Sequence, residues 1–245
     1  MDDSGLLPVR VSTFDELIER GGIERGSTIL ISGSCGAGKS IFAMQSAYYG
    51  ALAGEKVYYI TFEETPGKIK THMKTNFGWN VNAVEHEKKL VLESADPFKI
   101  SMAINAEDEM WRMKGLLFHV DVMDRAIPSK VDRIVIDSLS ALSAAFIDKD
   151  KYRLYLKILF DSLNRKNSVN FVIIESRQDL GFHSEANIAE FLSDGVIVLY
   201  NIRKDQVRER ALEILKLRCS SHVMETIPFK ITYKGIEIFP QERVF

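Results

Sequence analysis

The stretch ISGSCGAGKSIFAMQ, residues 31–45, sets three glycines, a lysine and a serine between two apolar runs. It satisfies G-x-x-x-x-G-K-[ST] through Gly33, Gly38, Lys39 and Ser40. That pattern means a phosphate-binding loop when a strand precedes it and a helix follows. STILIS (27–32) reads as a buried strand. KSIFAMQSAYYGALAG (39–54) carries apolar residues at 41, 44, 48, 51 and 52, the spacing of one helical face. Four fixed positions coincide by chance in a chain of this length about 1% of the time. A dinucleotide loop orders its glycines G-x-G-x-x-G; here the order is G-x-x-G-x-G, and Lys-Ser follows.

In such a loop backbone N–H groups turn toward phosphate oxygens and the helix N-terminus adds a favourable dipole. Gly33, Ser34, Cys35, Gly36, Ala37, Gly38, Lys39 and Ser40 are the expected nucleotide-binding residues. Lys39 is placed to reach the β- and γ-phosphates, and the Ser40 hydroxyl to ligate Mg²⁺.

Outward from the loop, KVYYITF (56–62), LVLES (90–94), DRIVIDS (132–138) and VNFVIIES (169–176) read as further strands. Helices are expected after Pro66 up to Gly78, over 105–126 and over 150–166. GVIVLYN (195–201) and ALEILKLR (211–218) read as strands paired across RKDQVRER (203–210), a solvated hairpin tip. FKITYKGIEIF (229–239) reads as a closing hairpin around Lys234-Gly235. Uninterrupted Val/Ile/Leu strands alternating with helices predict an α/β fold: a mainly parallel sheet, helices on both faces, and an antiparallel C-terminal end. With no repeat and no linker tract, one domain is expected over residues 1–245.

The bulk numbers narrow the function. A 46% hydrophobic chain supports a full core, and a net charge of −2 gives no general electrostatic basis for nucleic acid or an anionic membrane. Cys35 and Cys219 are too isolated for a disulfide framework or a metal pair. The five histidines lack paired ligand spacing, so zinc is not expected. The acidic N-terminus has no signal-peptide core and no run of 18 apolar residues occurs, so no membrane insertion is expected and a cytoplasmic location is.

Hydrolysis of a bound triphosphate needs a second Mg²⁺-ordering carboxylate and a group that orients water. RIVID (133–137) ends on Asp137, about 100 residues past the loop. TFEE (61–64) ends a strand on Glu63 and Glu64. Neighbouring strand residues point to opposite sides, so one of the two is expected to meet the water.

The loop, FEETPGKIKTHMKTNFGW, RIVIDSLSAL, EFLSDGVIVLY, LEILKLRCSSH and PFKITYKGIEIFP together resemble the archaeal and bacterial KaiC-like ATPases of the RecA superfamily, over about residues 9–240. The resemblance implies a RecA-type P-loop fold and a slow Mg²⁺-dependent ATPase. It also implies a homo-oligomeric, hexameric ring with ATP between subunits. It casts Glu63 and Glu64 as the catalytic glutamate pair, Asp137 as the Walker B carboxylate and Ser176 as a sensor of the γ-phosphate. Lys216 and Arg218 match a K-x-R motif that reaches the neighbouring subunit's γ-phosphate. Cys219 stands where the family carries glycine, and Arg177 where it carries an acid. Glu190 and Phe191 stand where clock-type relatives are phosphorylated, so autokinase activity is not expected.

Two alternatives stay open. One is a nucleotide-gated scaffold that hydrolyses little while holding a protein partner. The other is a RadA-paralogue-type recombination accessory, whose DNA loops would be SALSAAFIDKDKYR and RQDLGFHSEANIAEF. Neither loop is rich in basic or aromatic residues, so nucleic acid is not indicated.

Overall fold

The computed structural model describes residues 5–96, 127–143, 146, 148–175, 188–204 and 206–242. The first elements in chain order are β1 (Leu6–Leu7), β2 (Ile23–Glu24), β3 (Thr28–Gly33), α1 (Lys39–Leu52), β4 (Val57–Thr61), α2 (Pro66–Phe77), α3 (Val81–His86) and β5 (Leu90–Ser94). Then come β6 (Arg133–Asp137), α4 (Leu139–Ser143), α5 (Lys149–Asn164), β7 (Val169–Glu175), α6 (Ile188–Leu192), β8 (Gly195–Lys204), β9 (Val207–Leu217), β10 (Ile227–Thr232) and β11 (Gly235–Ile238). The expected helix over 105–126 lies outside the described residues.

Among the described residues nine strands form one sheet in the order β11-β10-β9-β8-β3-β7-β6-β4-β5. The run from β8 through β5 is parallel, and β8, β9, β10 and β11 pair antiparallel. This is the mainly parallel sheet with an antiparallel end that the apolar runs predict. Every residue of β3, β4 and β6 is buried, as strands covered on both faces require. Alternate residues serve opposite layers. Ile29, Ile31, Tyr59, Val135 and Phe171 pack with Phe42, Ala43 and Ala47 of α1. Leu30, Tyr58, Ile134, Ile136 and Val172 pack with Tyr155, Leu159 and Leu163 of α5. Among the described residues no helix is long and apolar enough to cross a membrane.

Helix limits follow their capping chemistry. Thr65 caps α2 by accepting from the Lys68 amide, Pro66 fills its first turn and Gly78 closes it at φ 68°. Asp148 caps α5 by accepting from the Asp150 and Lys151 amides.

The basic stretch 203–210 is the solvated end of the β8–β9 hairpin, but the turn itself is shorter than the stretch and strand pairing runs into it. β8 runs to Lys204 and β9 starts at Val207, with Asn201 opposite Arg210 and Ile202 opposite Glu209. Charged residues occupy these strands because this end of the hairpin projects beyond the covered sheet; Val207, Arg208 and Glu209 are exposed.

The antiparallel end is fastened to the first helix. Gln45 of α1 accepts from the Ile236 amide at 2.6 Å and donates to the Ile236 carbonyl at 3.1 Å, both bonds buried. The residues before β3 also join the core, with Phe14 edge-on to Phe42 at 5.3 Å.

Parallel strands bring all their C-terminal ends to one edge, where α/β folds bind ligands. Gly33 lies level with Glu175, and Thr61 with Asp137.

Candidate nucleotide site

The loop between β3 and α1 bends through left-handed backbone at Gly36 (φ 74°) and Gly38 (φ 103°), a conformation glycine adopts without penalty. α1 begins at Lys39, whose Nζ donates to the Gly33 and Ser34 carbonyls, each at 2.9 Å. Burial pulls the pKa of this ammonium down, opposed by the nearby Glu175, Asp137 and Glu63 carboxylates.

Asp137 closes β6 and is buried. Its Oδ2 accepts from the Tyr59 hydroxyl at 2.6 Å. Burial pushes its carboxyl pKa up, hydrogen bonds from Tyr59 and Ser40 pull it down, and Glu63 and Glu64 add to the upward push. A hydroxyl and a carboxylate in mutual contact form a hard oxygen pair suited to Mg²⁺. A cation there also relieves the cost of a buried charged carboxylate. Ser40 and Asp137 therefore fit the metal role expected of them.

The two glutamates diverge. The Thr61 hydroxyl accepts from the Glu64 amide at 3.1 Å and the Glu63 amide at 3.4 Å, while the Phe62 amide donates to the Asp137 carbonyl at 2.7 Å. These bonds fix the turn after β4. Glu63 Oε1 accepts from the Ser138 hydroxyl at 2.5 Å and lines a cavity of about 290 Å³ with Lys39, Ser40 and Asp137. Glu64 turns outward to Lys68 Nζ at 2.8 Å and His72 Nδ1 at 3.5 Å.

A family model described as "ATPase: KaiC" matches residues 7–243. The chain belongs to the KaiC ATPase family. The circadian clock oscillator protein KaiC of Parathermosynechococcus lividus is 33% identical over 226 residues, which cover 92% of this chain and 41% of that protein. Circadian clock protein KaiC3 of Synechocystis sp. is 32% identical over 235 residues, covering 96% and 45% respectively. The chain thus spans less than half the length of these relatives. The crystal structure of a KaiC-like protein from Pyrococcus horikoshii OT3 superposes with a TM-score of 0.77 at 29% identity, covering 96% of this chain and 99% of that one. The motif resemblance and the RecA-type architecture are borne out.

In this KaiC-family domain, Lys216 and Arg218 do not approach the phosphate loop of their own chain. Leu217 pairs with Gly195, and Gly195 with Ile29, so both cations sit toward the opposite sheet edge, about 10–13 Å from Gly33 along β3. Lys216 Nζ donates to the Ser193 carbonyl at 2.6 Å and the Glu190 carbonyl at 3.0 Å. Arg218 pairs with Asp194 at 3.3 Å and donates to the Phe191 carbonyl at 3.2 Å. Ser176 and Arg177 lie outside the described residues.

Three polar cavity residues escape the sequence reading: Ser138 (which holds Glu63), Glu175 and Arg210. Glu175 closes β7, its amide donating to the Ser140 hydroxyl at 2.7 Å. Arg210 reaches the Gly36 carbonyl in a long 3.4 Å contact. The acid that ends the apolar run VNFVIIE is a usable signal for Glu175, since Asp137 is found by the same rule. Arg210 was hidden in a charge run.

Proposed function

We propose that the chain hydrolyses Mg²⁺-ATP at the subunit interfaces of a homo-oligomeric ring, hexameric by resemblance, and couples nucleotide state to assembly or to a protein partner. One observation carries this reading. Lys39, Ser40, Glu63 and Asp137 converge at one sheet edge, and the remaining expected catalytic cations, Lys216 and Arg218, stand at the other. Head-to-tail packing that closes into a ring sets the two edges face to face.

In the assembled site the loop amides and Lys39 hold the phosphates, Lys39 exchanging the Gly33 and Ser34 carbonyls for phosphate oxygens. Ser40 and Asp137 would hold Mg²⁺, which would supply positive charge against the phosphate oxygens. Glu63, aimed by Ser138, orients the attacking water and accepts its proton. Arg218 and Lys216 of the neighbour leave their carbonyl partners and stabilise charge on the transferred phosphoryl group.

Mixing two dead variants tests this. Lys39→Ala removes the loop's cation and Arg218→Ala the neighbour's finger, an element worth about 10³–10⁵ in rate. Co-expressed at equal levels, the two restore one interface in four, so activity returns to about a quarter of wild type in a randomly mixed ring. A mixture no faster than the mean of the separate variants removes the trans assignment.

A second reading draws on one observation. Lys216 and Arg218 are already satisfied by carbonyls of their own chain, a state that suits a nucleotide-gated scaffold with little turnover. ATP-dependent assembly without phosphate release in wild type would select it.

A further inference from the structure

Neither the metal role nor the water role uses Glu175. It closes β7 level with Gly33 in the parallel register, beside the strand from which the phosphate loop springs. Its amide donates to the Ser140 hydroxyl at 2.7 Å, which fixes the backbone at this position. The residue is exposed and lines the same cavity as Lys39, Ser40, Glu63 and Asp137. Glu63 and Asp137 are engaged there, Glu63 with the Ser138 hydroxyl and Asp137 with the hydroxyls of Tyr59 and Ser40. Among the described residues the Glu175 carboxylate has no hydrogen-bond or ion-pair partner. Nor are three acidic, histidine or cysteine side chains grouped among them to hold a metal ion, so a second cation site is not the reason for this charge.

Lys39 locates the charge that Glu175 meets. In a loop of this kind the lysine reaches the β- and γ-phosphates. Of the carboxylates that offset the effect of burial on Lys39, Glu175 acts most strongly, ahead of Asp137 and Glu63. A phosphoryl group drawn to Lys39 therefore arrives in the field of an unpartnered carboxylate. We infer that Glu175 sets the site's choice between nucleotides: its negative charge opposes the γ-phosphate and weakens binding of a nucleoside triphosphate relative to the diphosphate. A diphosphate lacks the group that meets this charge. Arg210 does not cancel it, since that side chain is turned to the Gly36 carbonyl. The inference rests on the γ-phosphate lying at Lys39, as in the proposed function, and on neither ring assembly nor hydrolysis.

Titration calorimetry with Mg²⁺ and either ADP or the β,γ-imido analogue of ATP reads the preference directly. Glu175→Gln keeps the shape of the side chain and removes its charge. It should tighten the analogue at least about fivefold, the effect of one like charge about 4 Å away in water, and leave ADP within about twofold. Glu175→Ala should repeat that result, and Glu175→Asp, which keeps the charge, should keep the wild-type preference. The gap between wild type and Glu175→Gln should narrow as salt rises, because screening weakens repulsion at an exposed group. Equal tightening of both nucleotides overturns the inference, since freeing Lys39 from a competing anion favours the β-phosphate as well. An unchanged or reversed preference in variants that bind both nucleotides also overturns it and leaves the proposed function standing. The expected shift in a protein that turns over no ATP keeps the inference and removes the hydrolytic reading. A wild-type chain that binds neither nucleotide removes both.

Discussion

Glu63→Gln should lower the steady-state rate of ATP hydrolysis about 10²–10⁴-fold, the range of a lost general base, while Glu64→Gln leaves it within a few-fold. The asymmetry comes from the turn after β4. Thr61 accepts both glutamate amides and so pins the backbone; the two side chains leave it in different directions. Glu63 faces Lys39 and Asp137 across the cavity and is held by Ser138. Glu64 is drawn off by Lys68 and His72. Nucleotide affinity should change little in either variant, because neither carboxylate is a phosphate ligand. Equal losses from both variants, or a loss only from Glu64→Gln, would reassign the base.

Arg133→Met should destabilise the fold by about 3–5 kcal/mol, the cost of stranding one member of a buried ion pair. For a chain of this size that is a fall of about 6–20 °C in Tm, read by circular dichroism. Arg133 is fully buried at the start of β6. Its guanidinium bonds Glu55 at 2.8–2.9 Å, the Ser46 hydroxyl at 2.6 Å and the Pro8 carbonyl at 2.6 Å, and lies over the Phe171 ring at 5.4 Å. Gly50 of α1 makes room for it: a Cβ there would lie 2.6 Å from Glu55 Oε2 and 2.9 Å from Arg133 Nε. Removing both charges, with Glu55→Met added, should recover part of the loss, since a paired apolar replacement leaves no stranded carboxylate. A Tm within about 3 °C of wild type for Arg133→Met would show that Arg10, which also bonds Glu55 at 2.7 Å, can neutralise it alone.

These two cases also mark what the chain discloses before it folds. The phosphate loop is local: glycine, lysine and serine act within eight residues, so their spacing nearly specifies their geometry. The central strands are legible for a related reason, because burial on both faces writes an unbroken apolar run. Nothing beside Arg133 in the sequence announces its burial; Glu55, Ser46 and the residues before β3 converge on it from distant parts of the chain. Arg210 is concealed likewise, since cross-strand pairing rather than composition decides where the β8–β9 hairpin turns. The choice between Glu63 and Glu64 depends on where Lys68 lies on the next helix, and alternation along a strand says only that they differ.

Gln45 gives the tail of the chain a share in the phosphate site. Its amide binds the N–H and carbonyl of Ile236 much as a neighbouring strand would, from the helix whose first residue is Lys39. Two strand side chains, Ile231 and Phe229, lie directly beneath Gly38. The loop that grips phosphate is therefore a keystone seated on masonry laid last: shortening the protein from its C-terminus before Ile227 would unseat the grip without touching any residue that forms it.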